Sequence, residues 1–164
     1  MASGTKEGFG NMIFIMSIAL YIGILDRITK IASCISLSPG QSVKVLPDIF
    51  HITLVLNKGS AFGLFKEGRP FFIASSIIAI IFIVLYVWKN KIMSPILRLG
   101  LGLILGGAAG NLIDRLRFGY VIDFLDFRVW PVFNVADSAI TVGVAILILK
   151  VLRKNLEVKS KNHN

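Results

Sequence analysis

Polar and apolar positions are unevenly distributed along this chain. Four long apolar runs, Gly8 to Leu25, Pro70 to Trp88, Ile92 to Ile113 and Pro131 to Leu152, are set apart by polar stretches. Each approaches the roughly 20 helical residues that cross a hydrocarbon core about 30 Å thick, so each predicts a transmembrane helix. An even number of crossings puts both termini on one side. Between the first two runs, Ser42 to Leu46 and Phe50 to Leu56 are rich in Val, Ile, Leu and Phe. Pro47-Asp48 and then Asn57-Lys58-Gly59 interrupt them, which predicts a small strand ribbon within about 42–66, resting on the membrane surface. In the third run Gly102, Gly106 and Gly110 recur every four residues, a spacing that lets helices approach closely in lipid. The expected fold class is all-α integral membrane, with four transmembrane helices, a small β-ribbon in the first loop, and a single domain over 1–164.

Composition agrees with this pattern: 55% of the 164 residues are hydrophobic and the mean hydropathy is +0.77, outside the range of soluble domains. A net charge of +9 raises the question of nucleic acid. The basic residues collect at run ends instead of interleaving with aromatics, so no nucleic-acid partner is expected. Lys89, Lys91 and Arg98 flank the link between the second and third runs, and Lys150, Arg153, Lys154, Lys159 and Lys161 crowd the tail. By the positive-inside rule that link and both termini are cytoplasmic. The first loop also carries Arg27, Lys30, Lys44, Lys58, Lys66 and Arg69, but long loops weigh less in that rule. One cysteine, Cys34, and two histidines, His51 and His163, support neither a disulfide framework nor a zinc constellation, so no metal and no cofactor is expected. The first run lacks a charged leader and continues into Asp26-Arg27 instead of a small-residue cleavage site, so it is expected to be a permanent span.

Charge at membrane depth is costly, which makes acids in or beside a span candidates for function. Asp26 closes the first run, Asp114 closes the third, and Asp137 is expected about two turns inside the fourth, with Asp123 and Asp126 in the last loop. Span parity places all five at the outer face. Two carboxylates that share one proton activate water and hydrolyse an amide without metal or nucleophile, and Asp123 with Asp137 is a candidate pair. Asp123 sits in the apolar run Val121 to Phe124, expected to hold its carboxylate against the membrane surface. Each acid also has a structural reading. Asp114 beside Arg115 reads as an ion pair or helix-end contact, Asp26 with Lys30 as an i, i+4 pair, and Asp126 beside Arg128 as a solvated loop charge. Asp137 reads as a polar helix contact, although Asn134 one turn earlier faces the same way. The residues by themselves do not distinguish Asp123 from Asp126.

Five ordered blocks resemble signal peptidase II, the lipoprotein signal peptidase family, along nearly the whole chain. They are Asp26-Arg27-Ile28-Thr29-Lys30, Asn57-Lys58-Gly59-Ser60-Ala61-Phe62, Gly110-Asn111-Leu112-Ile113-Asp114-Arg115, Val121-Ile122-Asp123-Phe124 and Phe133-Asn134-Val135-Ala136-Asp137-Ser138. Arg27 stands where the family commonly has glutamine, and Ser60 where it has alanine. The resemblance implies that Asp123 and Asp137 are the catalytic aspartates, that Asn57, Gly59, Asn111, Arg115 and Asn134 line the site, and that Asp26, Lys30 and Asp114 support it. It further implies an aspartic endopeptidase of the bacterial cytoplasmic (inner) membrane, acting as a monomer. Its substrate would be a diacylglyceryl-modified prolipoprotein, held with membrane lipid and cut before the lipidated cysteine.

Three other readings compete. A small four-helix exporter of cationic compounds would need an acid deep in a span, whereas these acids gather at one face. A lipoprotein identity would rest on Ile31-Ala32-Ser33-Cys34, a faint lipobox separated from the apolar run by Asp26, Arg27 and Lys30. A serine protease would rest on Ser60 near Lys58 or Ser138 beside Asp137, neither with an oriented base.

Overall fold

The computed structural model describes the backbone of residues 2–59, 68–90 and 92–161. Ser60, Ala61, Phe62 and Lys66 of the sequence blocks and loop lie outside the described residues, as do Met1, Lys91 and His163 and the side chains of Lys154, Lys159 and Lys161. Four helices are long and apolar enough to cross a membrane: α1 (Ala2–Ser36), α2 (Gly68–Lys89), α3 (Pro95–Arg117) and α4 (Val135–Lys161). Among the described residues three strands accompany them, β1 (Ser42–Leu46), β2 (Phe50–Asn57) and β3 (Val121–Asp126).

α3 is the central helix. Half of its span is buried within the protein, against 17% for each of the other three. Its glycines explain how. A Cβ on Gly102 would stand 2.7 Å from Ile18 Cβ, one on Gly106 2.7 Å from the Ala19 carbonyl oxygen, and one on Gly110 2.8 Å from an Asp26 carboxylate oxygen. The stripe therefore lets α1 lie directly on α3, and Gly107 and Gly143 do the same between α3 and α4.

Helix boundaries depart from the hydropathy pattern at the ends that matter. α1 continues past Leu25 to Ser36, so Asp26 and Lys30 are interior to a helix and the first loop begins at Leu37. Helical structure survives the charges because Asp26 and Lys30 neutralise each other inside the bundle. α4 starts at Val135, which puts Asp137 in its first turn and not two turns inside. The preceding Phe133 is held instead by β3: its carbonyl accepts from Phe124 and Leu125 N–H at 3.0 and 2.8 Å, and its N–H donates to the Leu125 carbonyl at 3.0 Å.

The expected two-stranded ribbon is a three-stranded antiparallel sheet in the order β1-β2-β3. The run Val121 to Phe124 is thus part of the third strand of that sheet. Val55 faces Asp123 and Asn57 faces Val121, while a register irregularity between Ile52 and Val55 brings His51 opposite Asp126. Leu37, Leu54 and Ile122 form a small core under the sheet. Chain segments more than sixty residues apart are in this way fastened together above the helices.

Candidate active site

Asn134 is the residue on which the site is built. As the cap of α4, its Oδ1 accepts from Asp137 N–H at 2.9 Å while its own N–H donates to Asp137 Oδ2 at 3.3 Å, a reciprocal capping box. Its Nδ2 donates to Asp123 Oδ1 at 2.7 Å, to Asn111 Oδ1 at 3.1 Å and to the Ile122 carbonyl at 3.3 Å. One fully buried side chain thereby ties Asp123 on β3 to Asp137 on α4.

Each carboxylate is completed by a second amide. Asn57 Nδ2 donates to Asp123 Oδ2 at 2.8 Å, and Asn111 Nδ2 donates to Asp137 Oδ1 at 2.7 Å. Gly59 sets the orientation of Asn57: its N–H donates to Asn57 Oδ1 at 2.8 Å, leaving Nδ2 to face Asp123. Gly59 reaches that position with φ +83°, in the left-handed region that glycine adopts without strain. Burial raises the Asp123 pKa to about 7; the amides of Asn57 and Asn134 and the charge of Lys30 oppose the shift, and the charge of Asp137 adds to it.

Behind this amide layer lies a charged one. Lys30 Nζ, fully buried, stands 2.8 Å from Asp26 Oδ2 and 2.7 Å from Asp114 Oδ2, and donates to Asn111 Oδ1 at 3.1 Å. Arg27 adds a 2.9 Å bond to Asp114 Oδ1. These acids reach the neighbours of both site carboxylates. Asp26 Oδ1 accepts from Ala136 N–H at 3.0 Å, at the N-terminus of α4 where an anion is favoured, and Asp114 Oδ2 accepts from Ile122 N–H at 3.4 Å. Ala136 precedes Asp137 and Ile122 precedes Asp123.

Two sequence expectations need correction here. Asp114 pairs with Arg27 and Lys30 of α1 and not with Arg115, because adjacent residues on a helix point about 100° apart. Arg115 instead lies over the Phe72 ring at 4.9 Å and lines a cavity of about 290 Å³ with Phe72, Ser76, Asn111 and Asp137. Asp126 is buried, not solvated. Thr53 Oγ1 donates to it at 2.7 Å, and Arg128 donates through N–H at 2.9 Å and Nη1 at 3.0 Å. Burial works against its charge, but these donors outweigh it and hold the Asp126 pKa below the usual carboxylate range. Asp123 and Asp126 thus sit three residues apart on β3 in opposite electrostatic settings.

Arg27 as a partner of Asp114, β3 as a sheet strand, and Phe72 and Ser76 as cavity walls were not foreseen. Hydropathy carries no signal for contacts between α1 and α3, or for which face of α2 turns inward. Ser138 donates to the Asn134 carbonyl at 2.9 Å, and Cys34 is an exposed residue within α1.

A membrane-embedded bundle that holds two carboxylates in a ring of asparagines defines a class before any relative is consulted: an integral membrane protein with an aspartate-based site. Comparison with known proteins then fixes the family. The family model for signal peptidase (SPase) II matches residues 18–153. A lipoprotein signal peptidase of Desulfitobacterium hafniense is 48% identical over 141 residues, 84% of this chain and 93% of that protein. One from Halothermothrix orenii is 45% identical over 132 residues, 80% of this chain and 90% of that protein. A bacterial membrane enzyme solved by the in meso method at 2.3 Å resolution superposes with a TM-score of 0.79 at 32% identity, covering 86% of this chain and 88% of that one. A second, at 1.9 Å, gives 0.78 at 33% identity, with 84% and 92% covered. The chain belongs to the signal peptidase II family, and is an aspartic peptidase that removes signal peptides from prolipoproteins in a bacterial inner membrane.

Proposed function

We propose that this protein cleaves diacylglyceryl-modified prolipoproteins immediately before the lipidated cysteine, with Asp123 and Asp137 as the acid/base pair. The observation that carries this reading is the neutrality of the ring: both carboxylates receive amide N–H groups and, among the described residues, neither contacts a cation directly. Such a pair holds one proton between two acids at neutral pH. In the proposed reaction the ionised member takes a proton from water, whose oxygen bonds to the scissile carbonyl carbon. The protonated member donates to the carbonyl oxygen. Collapse of the resulting diol breaks the C–N bond: the leaving amine takes the proton drawn from water, a diol hydroxyl returns its proton to the other aspartate, and the pair regains one shared proton.

Asp137 opens into the cavity beside Arg115 and Phe72, which suits it to meet the peptide, while Asp123 is fully buried. Asn57, Asn111 and Asn134 hold the pair, Gly59 positions Asn57, and Arg115 steadies developing negative charge. Asp26, Lys30 and Asp114 act through backbone, as the supports of α4 and β3. The sheet cradles the substrate, and its lipid stays in the bilayer. The site faces the outer interface with both termini cytoplasmic, and the chain works as a monomer and a single domain without metal or cofactor.

The test incubates detergent-purified protein with a lipidated precursor and with the same precursor unlipidated, and reads the mass of the released peptide. Cleavage of the lipidated form alone, abolished by Asp123→Asn and by Asp137→Asn, is the expected result. Equal cleavage of both precursors would refute the lipid requirement, and residual parent-level cleavage in folded variants would refute the pair.

A further inference from the structure

On the face of α3 opposite the Asp137 cavity, α1, α2 and α3 enclose a second hollow, a groove of about 680 Å³. α3 turns Asn111 and Arg115 to the cavity and Ala109 and Ile113 to the groove. The lining extends along α1 from Met16 to Ile28 and along α3 from Leu105 to Arg117. At 1.5 Å per residue each wall is about 18 Å long, close to the roughly 15 Å that is half of a hydrocarbon core. The groove is therefore about one leaflet deep and apolar over that depth.

Its site-side end is cationic. The guanidinium groups of Arg27 and Arg117 lie over the same Phe118 ring, at 5.9 and 5.3 Å from its centroid. Arg27 is committed to Asp114, but among the described residues no carboxylate lies within 4 Å of Arg117. Asp26 also borders the groove, and its charge is met by Lys30 at 2.8 Å. One unmatched positive charge thus caps an acyl-length apolar trough.

We infer that this groove seats one chain of an anionic phospholipid of the site-side leaflet, with its phosphate at the Arg27–Arg117 end. A zwitterionic headgroup fits less well, because its ammonium would approach the same two guanidiniums that attract the phosphate. The diacylglyceryl group of a substrate carries no phosphate to engage them, and the groove is separated from Asp123 and Asp137 by the Lys30 layer.

The full-length protein is equilibrated in micelles containing equal phosphatidylglycerol and phosphatidylcholine of matched chains, and retained lipid is read by native mass spectrometry. One phosphatidylglycerol per chain is expected, preferred about fivefold, the worth of one basic residue at an anionic lipid surface. Arg117→Gln, an exposed change, is expected to erase the preference, and Ala109→Phe, which fills the trough, to reduce retention of both lipids. Equal retention of the two lipids by the parent, or an unchanged preference in Arg117→Gln, would overturn the proposal. So would undiminished retention in Ala109→Phe, or complete displacement by millimolar inorganic phosphate, since either would leave a headgroup site without a chain seat.

Discussion

The protein buries two sets of acids a few residues apart and treats them in opposite ways. Asp26 and Asp114 are matched by Lys30 and Arg27, and Asp26 Oδ1 and Asp114 Oδ2 also accept from backbone N–H groups at the start of α4 and on β3. Among the described residues, Asp123 and Asp137 accept from asparagine side-chain amides and a helix-start N–H. A buried carboxylate paired with a cation is bound up in a structural contact. One held by amides in a dry site keeps its proton to higher pH, which is the condition for acid/base work. The charged layer and the amide layer meet at Asn111, which accepts from Lys30 and donates to Asp137.

Removing an acid from the amide layer is expected to abolish activity with little loss of stability. Asp123→Asn and Asp137→Asn should each lower cleavage of a lipidated precursor by about 10³- to 10⁴-fold while leaving the thermal unfolding midpoint in detergent within a few degrees of the parent. A large drop in midpoint would show that these acids, too, are structural and would dissolve the contrast.

Breaking the charged layer should do the reverse. Lys30→Met leaves Asp26 buried without a cation and Asp114 with Arg27 alone, and is expected to cost about 3–5 kcal/mol, read as a lowered unfolding midpoint or failure to accumulate folded protein. Survival of a fully stable Lys30→Met protein would mean that the layer tolerates neutralisation by proton uptake and has no need of its lysine.

The pH profile separates the layers without mutation. Asp123 keeps its proton up to about pH 7 where an ordinary aspartate loses it near 3.8. The protonated donor is therefore present below that pH and lost above it, so kcat/KM should fall as pH rises through about 7, tending to tenfold per unit. A flat profile up to pH 9 on folded enzyme would place the essential proton elsewhere.

The smallest effect belongs to Arg27→Gln. Arg27 is a quarter exposed and Asp114 keeps Lys30, so a loss of about 1 kcal/mol or less is expected, with cleavage nearly unchanged. A loss as large as that from Lys30→Met would show the charged layer to be a network in which no member is spare, and double-variant measurements would then show strong non-additivity.

Hydropathy alone located the four helices because a bilayer demands long uninterrupted apolar stretches, and it located β1 and β2 because Pro47-Asp48 breaks them apart. Its boundaries failed where charge is satisfied inside the bundle. Asp26 and Lys30 look like the end of a span until each is seen to neutralise the other, and Pro131 looks like the start of one until Phe133 is seen paired with Leu125. Strand β3 escaped notice because a strand of six residues is defined by its partner, and its partner β2 lies more than sixty residues earlier.

Taken by itself, then, the sequence determined a four-span membrane protein, a stripe of glycines that lets helices approach closely, and the ordered blocks in which its polar residues stand. It did not determine which acids carry protons. Asp123 and Asp126 are the same residue type three positions apart on one strand, yet Asn57 and Asn134 surround the first with amides in a buried setting, while Thr53 and Arg128 give the second enough donors to stay ionised. Those partners come from β2, from α4 and from the turn after β3. Only the folded arrangement brings them together, because proton affinity is set by what lies within a few ångströms in space and not by what lies nearby along the chain.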